Sequence, residues 1–432
     1  MRLLVLNQDW FVDEFRQAGH EVVTCGLDKN LDVPLEVPLI HLDSIIKEGM
    51  DGIPPDCILV LDNSAPIVIE GLAETKIPSA FYSVDTHHHA ELHGNLCQVF
   101  DHVFVAQKDY VRELTKESPV PIEWLPLFAS RPIEPSLDKE YGAVFVGTLR
   151  KELNPERVEF FEALKEEVPL LCKTGKFWEI FPYSEIVINQ TVKGDLNFRV
   201  FEAMMSGALL LTERSRNGLF ELFDDGKHLV TYEKNNVAEA AEQIRYYLEH
   251  LEEARTIGIQ GRDEVLRAHT PQARADTILS VLEKLERTKA PYRFFGWMNN
   301  FTVLSAKLKK LDTDLSRRAL LSALKSASIA YDLHEELPQH LSYSLVYGCC
   351  RYDMEMQSDA GYRLLLKCVE KYPQFALIKL ALVRFLLNHG RVDEARQMAK
   401  HLEPLPAEEV FQHAELVVSE LLVEGSTVPN LL

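Results

Sequence analysis

The chain has 432 residues, 46% hydrophobic and 26% charged, with a net charge of −20 at pH 7. That length exceeds one ordinary core and predicts two or three domains. The negative balance argues against non-specific nucleic-acid binding. No apolar run approaches the length of a membrane span. The opening MRLLVLNQDW reads as a buried strand rather than a signal peptide, because Asn7 and Asp9 follow directly on a short apolar run. The seven cysteines are scattered, mostly within apolar segments and without a CxxC pair, which fits buried free thiols and predicts a cytoplasmic protein.

In chain order, the first third alternates strands and helices. Apolar runs at 3–6, 22–25, 57–61, 80–84 and 102–106 predict strands, and segments 12–19, 40–48, 65–75 and 108–116 predict helices. Residues 122–128, punctuated by Pro121 and Pro126, predict a short strand leaving this domain. The pattern then restarts. Strands are expected at 143–146, 170–173, 186–189, 208–212 and 228–231, and helices at 155–166 (with Asn154 as N-cap), from Asn197, at 219–223 and at 237–252, with alanine-rich helices to about Lys284. Such alternation means parallel strands joined by crossover helices. Two sets of similar size predict two doubly wound domains facing each other, with a ligand cleft at the carboxyl ends of their strands.

Past Lys289 and Pro291 the pattern is helical only. A weak period of 34 residues maps Cys349 onto Val383, Tyr352 onto Leu386, Gly361 onto Ala395 and Leu365 onto Ala399. With a turn at Gly390 and small Ala395 and Ala399 where helices approach, residues 375–402 resemble a tetratricopeptide unit, although its characteristic Trp is absent. A plain helical bundle is the alternative. From His401 to Leu432 there are six glutamates and no Lys or Arg, which reads as an acidic solvated helix face or a surface for a basic partner.

The segment with the most chemistry is the helix opening at Asn197. Arg199 and Glu202, three residues apart, share one helix face. A guanidinium suits a diphosphate and a carboxylate suits a pair of ribose hydroxyls; a solvated surface ion pair is the plain alternative. Lys193, Asn197 and Arg199 gather three anion-friendly groups at one helix start. The strand–turn segment Val144 to Arg150 contains Gly147 and Thr148, where backbone N–H groups can hold a phosphate with Arg150 adding charge. Asp85 and His87 follow a predicted strand, as do His88, His89, Glu91 and His93. Consecutive histidines cannot all point at one ion, so a His base or a His touching sugar or phosphate is preferred to a metal site, and exposed loop histidines are the alternative. Asp9, just past the first strand, is placed to meet an acceptor or to cap a helix. The absence of a glycine fingerprint there disfavours a dinucleotide cofactor.

Taken together, VFVGT, FPYSEIVINQ, LNFRVFEAMMSGALLLTE and LFDDGKHLVTYEKNNVAEA stand in the order seen in the C-terminal domain of GT-B glycosyltransferases, and the chain resembles the subgroup typified by CgeB-like spore-maturation proteins. The resemblance covers roughly residues 141–275; the N-terminal part matches only in its α/β alternation and in WLPLFAS. It implies two facing Rossmann-like domains, an α/β GT-B arrangement, at 1–135 (acceptor side) and 136–288 (donor side), followed by an all-α TPR-like domain at 289–432. It further implies that Glu202 holds the donor ribose, that Arg199 and Asn197 neutralise the leaving diphosphate, and that Gly147 and Thr148 line the donor phosphates. No bound metal and no cofactor are expected; the donor is a nucleotide-diphosphate sugar such as a UDP- or GDP-sugar. One departure concerns the second Glu of many retaining relatives, eight residues before the ribose-binding one; here Gly194 stands there with Asp195 beside it. An inverting reaction would need a base, for which Asp9, Asp85 and His87 are candidates. The expected function is sugar transfer to a hydroxyl acceptor, including a protein bound by the helical domain. A catalytically silent GT-B scaffold and an epimerase on the same fold are the competing readings.

Overall fold

The first α/β domain carries strands β1 (Arg2–Leu6), β2 (Glu21–Gly26), β3 (Val33–Pro34), β4 (Ile40–His41), β5 (Cys57–Leu61), β6 (Ile69–Glu70), β7 (Ser79–Ser83), β8 (His102–Val105) and β9 (Ile122–Trp124). Helices α1 (Val12–Gln17), α2 (Leu42–Gly49), α3 (Thr86–Leu96) and α4 (Lys108–Glu117) lie between them. The computed structural model describes residues 1–288, 292–337 and 339–400. Seven strands form one sheet in the order β3-β2-β1-β5-β7-β8-β9, and every pairing is parallel. β5, an unbroken apolar run, and β8, apolar after His102, are buried throughout, as expected of strands covered on both faces.

The second α/β domain has strands β10 (Tyr141–Val146), β11 (Leu170–Lys173), β12 (Ser184–Asn189), β13 (Leu209–Glu213) and β14 (Val230–Tyr232), paired parallel in the order β11-β10-β12-β13-β14. Its helices are α5 (Pro155–Glu167), α6 (Phe198–Met205), α7 (Leu219–Leu222), α8 (Val237–Glu249) and α9 (Leu251–Ala268). In each sheet the strand order reverses beside the first strand of the domain, between β1 and β5 and between β10 and β12. Those reversals open crevices at the carboxyl ends of the strands.

After α9 the chain returns to the first domain. Helix α10 (Pro271–Leu282) packs on α1, and Arg274 donates from Nε to Pro126 O (2.6 Å) and from Nη2 to Leu127 O (2.9 Å). One apolar cluster, including Phe11, Phe128, Phe201, Met204 and Leu279, runs through both α/β domains. Trp10 and Phe128 of the first domain meet Phe198 of the second edge-on, at 5.3 and 5.4 Å between ring centroids.

The helical region comprises α11 (Arg293–Leu308), α12 (Thr313–Leu333), α13 (Gln339–Met356), α14 (Ala360–Lys371), α15 (Ala376–Asn388) and α16 (Val392–Ala399). The turn between α15 and α16 falls at Gly390 (φ 71°), and Ala395 and Ala399 are buried. The acidic stretch from His401 to Leu432 and the break at 289–291 lie outside the described residues. The helices are not a loose appendage: α11 packs on α3, and one cluster joins Phe100 of the first domain to Trp297 and Phe301 of α11. Asp101 is the polar anchor. Burial opposes its charge, but Arg287 (2.9 Å), the Thr288 side chain and N–H, and Arg293 (2.8 Å) hold its carboxyl below the usual range.

Several local expectations are corrected. The predicted helix at 65–75 does not form. Ala65 precedes a proline and is biased away from helical backbone. Ile40 N–H bonds Val68 O (3.1 Å), and β6 pairs with β4. The Asn300 side chain of α11 then pairs with Ile67 as a strand would, accepting its N–H and donating to its carbonyl, both at 2.8 Å. Tertiary partners more than two hundred residues away thus override the local pattern. The alternative of exposed loop histidines does not hold: residues 86–96 form a helix kinked at His89 (φ −132°, ψ 32°), in which His87 and His93 are buried. Asn154 sits at the N-cap of α5 but makes no side-chain cap bond. The cap of α1 is Phe11, with left-handed backbone (φ 68°) and no side-chain bond, so Asp9 does not cap that helix. Cys350 is exposed, whereas Cys25, Cys57, Cys97, Cys349 and Cys368 are buried.

Candidate active site

The turn ahead of α6 sets the geometry. Lys193 (φ 55°) and Gly194 (φ 77°) are successive left-handed residues. Such a reversal suits glycine, and a Cβ at Gly194 would meet nothing within 4 Å, so its role is in the backbone. Asp195 closes the loop by accepting the Val192 N–H at 2.5 Å. Asn197 is the N-cap of α6, yet its side chain bonds no first-turn N–H; its Nδ2 approaches Asp195 Oδ1 at 3.5 Å. The first turn of the helix is therefore left uncapped by side chain, with the positive end of its dipole at the cleft.

Arg199 is held across the ends of two central strands. Its Nε donates to Val146 O (2.9 Å) and its Nη1 to Asn189 Oδ1 (2.8 Å), and the guanidinium lies 4.6 Å from the centroid of Phe145. Burial and the neighbouring Arg157 push its pKa down to about 10, so it stays cationic at pH 7. Glu202, one turn on, is 8% exposed and accepts Ser130 Oγ at 2.6 Å. Burial raises its pKa, against the lowering pull of Ser130 and Arg199.

Both side chains line a cavity of about 350 Å³ together with Asn197, Asp195 and Arg157 of the second domain and Asp85, His87 and His88 of the first; Phe177, Phe181 and Phe198 supply aromatic wall. Five of the ten candidate residues therefore share one cavity between the domains: Asp85, His87, Asn197, Arg199 and Glu202. Lys193 lies at its edge, where Nζ reaches across to His87 O at 3.4 Å, and it lines an adjoining hollow of about 250 Å³ that also contains Arg157.

The others are placed differently. Gly147 does not offer its N–H, which donates to Lys173 O at 2.9 Å. Its contribution is space, because a Cβ there would collide with Arg199 Nη2 and the Phe145 ring. Thr148 is half-buried and Arg150 exposed, and neither lines the cavity. Asp9 is exposed and is also absent from its lining.

On the first-domain side, His87 is buried, and its Nδ1 has no partner among the described residues. Burial, followed by the nearby His88, pushes its pKa down to about 4, so the ring is neutral at pH 7. Asp85 accepts Ser64 Oγ, and its own N–H is fixed by Asp62 Oδ2 at 2.8 Å. Among the described residues no three His, Cys, Asp or Glu side chains converge on a metal position, and no helix is long and apolar enough to cross a membrane.

Arg157 was not foreseen. It is 8% exposed, donates to Gln190 O at 2.8 Å and lies near enough to Arg199 to lower that residue's pKa. The signal was present in sequence. Arg157 precedes Phe160, Phe161 and Leu164 at helical spacing, which puts a cation on the buried stripe of α5. Ser130 and the aromatic wall had no comparable signal, since they come from loops brought in by the tertiary fold.

Residues 157–280 match the family model described as glycosyl transferase-like. No curated protein matches the chain in sequence. Among solved structures, Anabaena HepE in complex with UDP-glucose is similar at 13% identity and a TM-score of 0.51, covering 66% of this chain and 100% of that one. Sucrose-phosphate synthase from Thermosynechococcus elongatus (11% identity, TM-score 0.48) and a glycosyltransferase from Rickettsia africae (10%, 0.45) each cover 66% of this chain and 98% of theirs. The two parallel-sheet domains across a cleft thus have the GT-B fold, and a helical region follows them.

Proposed function

We propose that the chain is a glycosyltransferase that moves a sugar from a nucleoside-diphosphate donor, such as a UDP- or GDP-sugar, to a hydroxyl acceptor. The observation that carries this reading is the shared cavity, in which the opening of α6 presents Arg199 and Glu202 towards Asp85 and His87 of the opposite domain. Negative charge grows on the diphosphate as the glycosidic bond breaks, and catalysis consists mainly of stabilising it. Arg199, Arg157 and the uncapped first turn of α6 would supply that stabilisation without a metal, and Glu202 would accept the ribose hydroxyls. The match of residues 157–280 to the glycosyl transferase-like family supports this, as does the fold shared with a UDP-glucose-bound protein.

A base with a pKa near 4 draws a proton weakly at neutral pH. His87, neutral at pH 7 with its Nδ1 open, is suited to accept a hydrogen bond from a sugar hydroxyl, and Asp85 beside it is the other candidate base. The helical region, which packs directly behind α3, would present the acceptor, a protein among the candidates.

One observation favours a silent scaffold instead: Arg199 already commits two N–H groups to Val146 and Asn189. Isothermal titration with UDP and GDP separates the two readings. Binding of a nucleotide, lost in Arg199→Ala, supports the transferase, and heat-silent titrations with the whole panel support the scaffold. Release of free sugar product without any acceptor would point to an epimerase.

A further inference from the structure

We propose that the groove formed by α13, α14 and α15 is a docking site for an extended acidic peptide with large apolar side chains, seated on the guanidinium groups of Arg351 and Arg384. The groove has a volume of about 1170 Å³, above the roughly 300–1,000 Å³ of small-molecule pockets. Along it runs a ladder of rings. Tyr362 stacks on Phe385 (4.1 Å, 13° between planes), and Phe385 stacks on His389 (4.0 Å, 23°). Tyr347 and Met354 stand on the same surface 57% and 71% exposed, so the groove offers apolar contacts that nothing among the described residues covers.

Its charges are sorted. The acidic groups are already engaged. Asp353 accepts the N–H groups of Gly361 (2.8 Å) and Tyr362 (2.6 Å) at the start of α14, Glu355 pairs with Lys309, and Asp359 pairs with Arg363 at 2.6 Å. Arg391 is held by both oxygens of Glu394 (2.7 and 2.6 Å). Arg351 and Arg384 remain, and neither has a carboxylate partner among the described residues. Arg384 is exposed. Arg351 is 7% exposed, lines the groove, and makes one long hydrogen bond, Nη1 to Thr302 O at 3.4 Å. Its remaining N–H groups open on the groove and not on a protein acceptor among the described residues, and a guanidinium with open donors suits an anion supplied from outside. Carboxylates spaced along an extended chain reach both arginines, while the alternate side chains lie on the ring ladder.

The test uses the full chain and fluorescence anisotropy with a fluorescein-labelled decapeptide of alternating glutamate and leucine, against the same peptide with lysine for glutamate. The acidic peptide is expected to bind and the basic one not. Arg384→Ala, an exposed change that leaves the fold intact, should weaken binding about tenfold, and Arg351→Gln by about tenfold to a hundredfold, the scale of charged hydrogen bonds. Titration with UDP or GDP should be unchanged in both variants, which keeps this site separate from the cleft. Equal binding of the two peptides, binding of neither, or unchanged affinity in Arg384→Ala overturns the proposal. A chain that sediments as a dimer and takes no peptide gives the groove to a second copy and overturns it as well.

Discussion

The two α/β domains prepare their sides of the cleft differently. In the second, each charge that reaches the cavity has a partner: Arg199 in Val146 and Asn189, Glu202 in Ser130, Asp195 in the Val192 N–H, and Arg157 in Gln190 O, with its Nε left open. In the first, His87 is buried with an unpartnered Nδ1, and its helix is fixed from behind by α11 rather than from within the cavity. The domain with the family signature is thus pre-organised for one kind of ligand, whereas the opposing domain takes its rigidity from the helical region. A preformed charged pocket loses little entropy on binding, and a surface with open hydrogen-bonding capacity suits a ligand that varies.

Five measurements would break or sharpen that contrast. The largest effect is expected at the anchor behind the first domain. Asp101→Ala leaves Arg287 and Arg293 buried without their carboxylate, and should cost about 3–5 kcal/mol in urea unfolding while any surviving folded protein keeps its nucleotide affinity. An unchanged unfolding midpoint would show that the helical region does not brace this side. On the other side, Arg199→Ala should lose about 1.5–3 kcal/mol of nucleotide affinity by calorimetry, beside a loss of stability from leaving Val146 O and Asn189 Oδ1 without their donor; Gly147→Ala should reproduce part of the affinity loss, because the new methyl displaces the same guanidinium. Asn300→Ala strips both backbone partners from Ile67 and should cost about 1–3 kcal/mol of stability.

The last measurement concerns pH. Burial lowers His87 and His102 to about 4 and His269 to about 3. Between those values and an ordinary histidine pKa the unfolded chain binds more protons than the folded one, so stability rises with pH there. It should therefore fall as pH drops from about 6.5 towards 4. His102→Gln should flatten the slope, and a midpoint independent of pH across that window would contradict the burial of these rings.

The alternation of strands and helices was legible because continuous apolar runs such as 57–61 and 103–106 have one stable use, the interior of a parallel sheet. The spacing of Arg199 and Glu202 put them on one helix face, with a solvated surface pair as the alternative, and the structure places both side chains in the cavity lining. What escaped was decided by distant partners. Residues 65–75 carry a helical pattern, yet Asn300 claims Ile67 for an extended conformation. Gly147 was read as a phosphate cradle, although the room it leaves belongs to the Arg199 side chain. No local rule announces that a guanidinium from fifty residues away will occupy the space a methyl would need.

The pairing of Asn300 with Ile67 also bears on how this protein can be taken apart. An amide on α11 completes the hydrogen bonding of a segment in the opening domain, and Trp297 fills the same seam. A fragment ending where the second sheet's helices end would bare an aromatic seat and two orphaned peptide groups. Expression trials that trim the molecule to its two sheet-bearing halves should therefore yield aggregated material, and the smallest workable unit for crystallisation or assay is one that retains α11.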